Sequence, residues 1–290
     1  MSSHDNSGGG GNSSNNTNTR MMTKKKRKKV CLFGTSADPP TGEVGHVGVC
    51  KALSKLNEFD EIRVLPVYCH QYSEKRDRLI SFDHRMKMCE LSFNGIPNVI
   101  VDHSEKICFK RKAKGLSPQE MDKVRVGTAD LLDVLTEKEP MTDFSFALGT
   151  DTFMDLSSWK WRRSKDIFRF LQGRFLVLYR KQRRHQQESP NNHNATEITE
   201  EEVLERIRKV NQEYNHHWHR ERKEDSDADT DTDADTDAVG PTRLLRIPEL
   251  SDVSSTQVRA CTKVEDLEGL LVPEVLKYIV DNQLYGFSMQ

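Results

Sequence analysis

Three short stretches of the chain stand at strand ends or helix starts, and two of them, the first and the third, carry residue types suited to holding phosphate. The first, Gly34-Thr35-Ser36-Ala37-Asp38-Pro39-Pro40-Thr41-Gly42-Glu43-Val44-Gly45-His46, runs directly out of the apolar segment 30–33. It reads as a strand, a tight turn and a helix start. Glycine admits a ligand close to the backbone, Pro39-Pro40 stiffens the turn, and the helix begins near His46. Exposed N–H groups there, the positive end of a helix dipole and an imidazole beside them favour an anion. The second stretch, Gly149-Thr150-Asp151, leaves another apolar run, 144–148. The third, Ser254-Ser255-Thr256-Gln257-Val258-Arg259, combines capping hydroxyls, Gln257 three positions after Ser254, and an arginine one turn into a helix. Arg259 can fork to two phosphate oxygens while hydroxyls and N–H groups hold others. Taken singly, each stretch is also an ordinary strand end or helix cap.

The elements that must position them alternate. Strand character is predicted over 30–33, 61–67, 98–101, 144–148, 174–179 and 243–247, and helices over 46–56, 82–93 and 130–135. Ser117-Pro118-Gln119-Glu120 is a helix-start signature. This alternation implies βαβ units and a parallel α/β sheet whose ligand site lies at the carboxyl ends of the strands. Gly34 and Gly149 both stand at such ends.

Composition limits how much of the chain builds that sheet. Only 35% of the 290 residues are hydrophobic and 31% are charged, so substantial segments stay outside the core. The formal net charge of -1 argues against a protein-wide nucleic-acid-binding field, and no specific nucleic-acid partner is expected. Residues 1–29 form a polar tail ending in the basic run Lys24-Lys25-Lys26-Arg27-Lys28-Lys29, which suits a nuclear-import signal or a solubilising tail. A cytoplasmic or nuclear protein without a membrane span is expected. Residues 181–242 read as a charged, disordered insertion with a charged helix over 198–213 and alternating Asp over 225–237. The Asp run lacks the glycine and terminal Glu of an EF-hand loop, and the cluster His216, His217 and His219 reads as solvated, so no protein metal site is expected. The six cysteines are widely spaced, without a Cys-x-x-Cys pair, and read as reduced, mostly packed thiols.

The ordered set Gly34, Asp38-Pro39-Pro40, Gly45-His46, then Gly149-Thr150-Asp151 with Trp159-Lys160, then Ser254-Ser255-Thr256-Gln257-Val258-Arg259, resembles the nicotinate/nicotinamide mononucleotide adenylyltransferases. The close of the chain, from Glu265-Asp266-Leu267 through Val272-Pro273-Glu274-Val275-Leu276 to Leu284-Tyr285, is similar to that family's C-terminal helices. The resemblance covers most of 30–180 and 243–290. It implies a Rossmann-like parallel sheet with flanking helices: a single nucleotidyltransferase domain over 30–290, interrupted by the 181–242 insertion. The implied partners are ATP and a pyridine mononucleotide, with Mg²⁺ carried by ATP; homo-oligomerisation is left open.

By the same resemblance, Gly34, Thr35 and Ser36 contact phosphate or ribose, and His46 hydrogen-bonds ATP phosphates. Ser255, Thr256 and Arg259 clamp the triphosphate. Gly149 and Asp151 meet the nucleotide, with a helix-capping role for Asp151 as the alternative. Trp159 stacks on the pyridine ring, Thr128 stands near its carboxylate or amide, and Lys75 contributes a phosphate-binding cation. One departure stands out: the family has two histidines in the first turn, and here only His46 remains, with Thr41 or Glu43 at the other position depending on the direction of counting. The alternatives are a nucleotidyltransferase for another phosphorylated acceptor, or a catalytically degenerate nucleotide-binding protein.

Overall fold

The computed structural model describes residues 26–70, 78–179, 198–224 (backbone only over 214–224), 241–251 and 253–288. Lys75, Lys24 and Lys25, and the stretches 181–197 and 225–240 therefore lie outside the described residues.

Strands β1 (Lys28–Thr35), β2 (Glu61–Pro66), β3 (Val99–Val101), β4 (Thr142–Gly149), β5 (Phe175–Tyr179) and β6 (Arg243–Arg246) form one parallel sheet in the order β3-β2-β1-β4-β5-β6. The order reverses between β1 and β4, which pair directly. That reversal opens the crevice where doubly wound sheets bind ligands, and it brings Gly34-Thr35 beside Gly149.

The sheet is covered on both faces, which is why its strands read as continuous apolar runs. Val30 and Leu32 of β1 join one buried cluster, Cys31 and Phe33 the other. Helices α1 (His46–Lys55) and α2 (Phe82–Phe93) supply the second cluster. Helices α3 (Ser104–Ala113) and α4 (Pro118–Met121) follow, and α5 (Thr128–Lys138), α6 (Thr150–Ser157) and α7 (Ser164–Leu171) pack on the sheet's first face or beside it. Four of the cysteines, Cys31, Cys50, Cys89 and Cys108, are buried free thiols, and burial pushes Cys89 up to about 12 and Cys108 to about 11, away from reactive thiolate.

Two boundaries differ from the sequence reading. The first strand begins at Lys28, so the end of the basic run belongs to the sheet: Lys28 pairs with Glu61 at 2.8 Å and Arg27 with Asp143 at 2.8 Å. Opposite charges on the neighbouring strand ends extend the ladder beyond the apolar run. Within the expected insertion, helix α8 (Glu200–Glu224) seals the core with Val203, Ile207 and Val210. Their i, i+4, i+7 spacing is one helical face. Asn211 and Thr242 then exchange hydrogen bonds of 2.9 and 3.1 Å, and the buried Thr242 hydroxyl donates to Gly173 at 2.6 Å, returning the chain to β6.

Arg63, 5% exposed on β2, forks to Glu139 with two bonds of 2.7 Å and also bonds Glu61. The Arg63 bonds hold the Glu139 carboxyl below its ordinary range. A lowered folded value adds stability above the ordinary glutamate value of about 4.3 and loses it as pH falls through the lowered one. Urea unfolding should therefore show stability falling below about pH 4.3, with part of that acid slope absent in Glu139→Gln.

The C-terminal unit contains α9 (Ser255–Ala260) and α10 (Pro273–Asp281) and packs as a third cluster, in which Val258, Leu267, Leu271, Val275 and Ile279 meet Met88 of α2. Burial of Val258 orients its neighbour Arg259 toward the sheet edge.

Candidate active site

The first turn is organised around His46. Thr41 N–H donates to His46 Nδ1 at 3.0 Å, and Thr41 Oγ1 lies 2.6 Å from the same nitrogen while accepting from the His46 N–H at 3.0 Å. A backbone N–H can only donate, so Nδ1 is the acceptor and the ring proton sits on Nε2. Nε2 stands 2.9 Å from Thr35 Oγ1 at the end of β1. Thr41 is fully buried, and Gly45 makes the contact sterically feasible, since a Cβ there would come within 2.0 Å of Thr41 Oγ1. The residue after Pro40 thus orients the remaining imidazole, whereas Glu43 is exposed and pairs with Lys51. Thr41→Val keeps the shape, removes the hydroxyl and strands the His46 N–H. It should cost about 1–3 kcal/mol in urea unfolding and loosen the ring's orientation.

Asp38 anchors the other side of the turn. Its side chain is 1% exposed; Oδ1 accepts from the Tyr285 hydroxyl at 2.7 Å, and Oδ2 lies 3.5 Å from Arg259. Arg259 also donates to the Asp38 carbonyl and, at 3.2 Å, to Thr256 Oγ1. Ser255 Oγ donates to the Pro39 carbonyl at 2.8 Å. Burial and the Asp38 carboxylate push the Tyr285 phenol far above its ordinary value, so it remains a donor. The Ser254 and Gln257 capping box starts α9 as its spacing predicts.

Beneath the turn, Arg85 of α2 is 1% exposed and donates to the carbonyls of Ser36 (2.9 Å), Val67 (2.6 Å), Ile80 (3.1 Å) and Tyr68 (3.3 Å). One guanidinium thereby joins the loops leaving β1 and β2. Its signal in the sequence was a cation on the apolar stripe of Phe82, Met86, Cys89 and Phe93.

Two clefts open over this edge. A cleft of about 370 Å³ is lined by Ser36, Asp38, His46, Ser255, Thr256 and Arg259, among others. It holds donors and hydroxyls in the combination that binds phosphate oxygens. A second, also of about 370 Å³, is lined by the apolar Val67, Val126 and Trp161 and by polar groups that include Glu105, Thr128 and Lys160, with Trp161 as its aromatic wall. His70 lines both, so they meet at that residue.

Of the residues the sequence singled out, Ser36, His46, Ser255, Thr256 and Arg259 converge on the first cleft and Thr128 lines the second. Thr35 backs His46, and Gly34 presents open backbone at the end of β1. Gly149 leaves room for Asp151: a Cβ there would stand 2.9 Å from Asp151 Oδ1, which also faces Thr152 Oγ1 at 3.4 Å in the first turn of α6. Trp159 does not line either cleft; its ring packs on Phe168 with 46% of the residue exposed, and Trp161 occupies the wall instead. Arg85, Glu105, His70 and Trp161 belong to the site region and escaped the sequence reading.

A Rossmann-like sheet with a phosphate-suited cleft at its switch point defines a nucleotide-binding α/β domain of the nucleotidyltransferase type. The family model described as cytidylyltransferase-like matches residues 32–260, and the chain belongs to that family. Curated relatives are named probable nicotinate-nucleotide adenylyltransferases. One from Albidiferax ferrireducens is 31% identical over 134 residues, 45% of this chain and 57% of the relative. One from Streptococcus pneumoniae is 29% identical over 114 residues, 39% of this chain and 47% of the relative. The chain thus spans about half the length of the curated relatives it matches. Among solved structures, Plasmodium falciparum nicotinic acid mononucleotide adenylyltransferase shares the fold. Its complex with APC superposes with a TM-score of 0.57 at 21% identity, and that with NaAD with 0.56 at 22%; each match covers 91% of this chain and 100% of that one.

Proposed function

We propose that this protein is an adenylyltransferase that joins nicotinate or nicotinamide mononucleotide to ATP, giving the dinucleotide and pyrophosphate, in NAD biosynthesis. The observation that carries the reading is the imidazole of His46, oriented by Thr41 and facing Ser255, Thr256 and Arg259 across one cleft. The names of the curated relatives and of the Plasmodium structures point to the same reaction.

The chemistry asks little more of the protein. An oxygen of the mononucleotide phosphate attacks the α-phosphorus of ATP, the new O–P bond forms as the bond to the β-phosphate breaks, and pyrophosphate leaves. The attacking phosphate is already an anion near neutral pH, so no general base is needed. Positioning and charge neutralisation supply the acceleration. His46 Nε2–H and the Arg259 fork would meet phosphate oxygens, with the Ser255 and Thr256 hydroxyls beside them. Thr128 and the aromatic wall of the second cleft would hold the ring, Trp159 offering its exposed face at that side of the domain.

The described residues contain no group of three His, Cys, Asp or Glu side chains able to hold a metal. Mg²⁺ would be bound chiefly by the triphosphate, with the exposed Asp151 carboxylate adding a ligand. When bound, Mg²⁺ neutralises phosphate charge. No helix among the described residues is long and apolar enough to cross a membrane, and a cytoplasmic or nuclear location is the reading we retain. Adding either mononucleotide to protein and Mg-ATP should release pyrophosphate. Folded protein that releases none with both would end the proposal.

A further inference from the structure

Glu105 is a carboxyl group that no part of the chemistry above uses. It sits in the first turn of α3, 8% exposed, on the wall of the second cleft with Thr128 and Trp161. One side is satisfied by the Tyr68 backbone N–H, while Oε2 is buried and has no hydrogen-bond partner among the described residues. A buried oxygen without a partner is costly to a fold, and each such group calls for a reason, such as a functional role or a bound water or ion. The residue that carries this orphan lines the second cleft, beside Thr128 and Trp161.

We propose that Glu105 reads the substituent of the acceptor's pyridine ring, accepting a hydrogen bond from an amide when ionised and donating one to a carboxylate when protonated, so that acceptor choice changes with pH. The inference rests on the proposed adenylyl transfer for its substrates, and on the orphan oxygen and shared cleft for its geometry. A carboxylate beside a carboxylate is repelled, whereas an acid beside a carboxylate shares its proton. Burial pushes Glu105 up to about 7, with the Tyr68 N–H and Arg85 of α2 lowering it and Asp130 of α5 raising it. Lys160 and Arg162 also line the cleft, but neither type changes charge near neutrality. His70, on the loop after β2, is the remaining lining group of a type that titrates in that region.

The test is the ratio of kcat/KM for nicotinate mononucleotide to that for nicotinamide mononucleotide, measured with the full chain from pH 6 to 8. Both acceptors carry the same ribose phosphate, so its titration and that of the phosphate-binding groups cancel in the ratio. A group titrating at about 7 goes from roughly nine-tenths to one-tenth protonated over that range. The ratio should therefore fall at least about tenfold as pH rises. Glu105→Gln keeps size and remains both donor and acceptor, and should give a flat ratio. His70→Asn leaves Glu105 in place and should keep the slope. A flat wild-type ratio, or a slope that survives in Glu105→Gln and vanishes in His70→Asn, overturns the inference while leaving adenylyl transfer intact. If neither acceptor is turned over, the proposed function fails, and calorimetric binding of the two mononucleotides at pH 6 and 8 decides the role of Glu105 by the same ratio.

Discussion

Replacing His46 by alanine should lower kcat for pyrophosphate release by about two to three orders of magnitude, the range for losing one preorganised donor to transition-state charge. Nε2 is the ring's donor because Nδ1 accepts from Thr41, and its present partner, Thr35 Oγ1, is a hydroxyl that a phosphate oxygen can replace. The variant also leaves the buried Thr41 N–H without its acceptor, at a cost of about 1–3 kcal/mol, well short of what unfolds a domain of this size. Steady-state kinetics with a thermal melt separate the two effects. A loss of less than about threefold in kcat, in folded protein, would show that the imidazole does not face the reacting phosphates; two to three orders correspond to a full donor. The loss matters more here than where two histidines share the turn, because Thr41 offers no cation of its own.

How far the site could be read from the sequence depended on whether a residue's role is local. Gly34, Gly149 and the Ser254 box announce strand ends and a helix cap by type and spacing alone, and the structure has them there. The six strands were legible because a parallel sheet buried on both faces leaves uninterrupted apolar runs. Thr41 was visible only as a substitution, since its hold on His46 exists only once the turn closes over Gly45. Arg85 and Glu105 act through carbonyls and a cleft assembled from distant segments, and no spacing rule contains those partners. The packed face of α8 had the right period, but the charges around Val203, Ile207 and Val210 masked it. The tryptophan pair lies two residues apart, yet Trp161 lines the second cleft while Trp159 packs on Phe168, a difference that residue type alone does not carry.

Arg259→Ala should produce a double loss, and the two parts can be separated. Catalysis should fall by about two to three orders of magnitude in kcat/KM for ATP, because a forked cation leaves the phosphate cleft. Arg259→Lys should recover only a small part of it, since a point charge cannot reproduce the fork. Stability should fall as well, by about 1–3 kcal/mol, the range for a buried polar group that loses its partner. Asp38 is 1% exposed and would keep Tyr285 and a 3.5 Å contact to the Ile80 N–H, while its Oδ2 would lose the nearby guanidinium. The stability loss thus comes from the stranded carboxylate, so adding Asp38→Asn to Arg259→Ala removes the charge and should restore most of the melting temperature. Activity should stay low in the double variant, because the amide returns no cation to the triphosphate. A double variant that regained both would mean that Arg259 serves only to hold the Asp38 turn. One that regained neither would mean that the Asp38 charge is balanced by Arg85 beneath the turn, the other guanidinium whose field it feels.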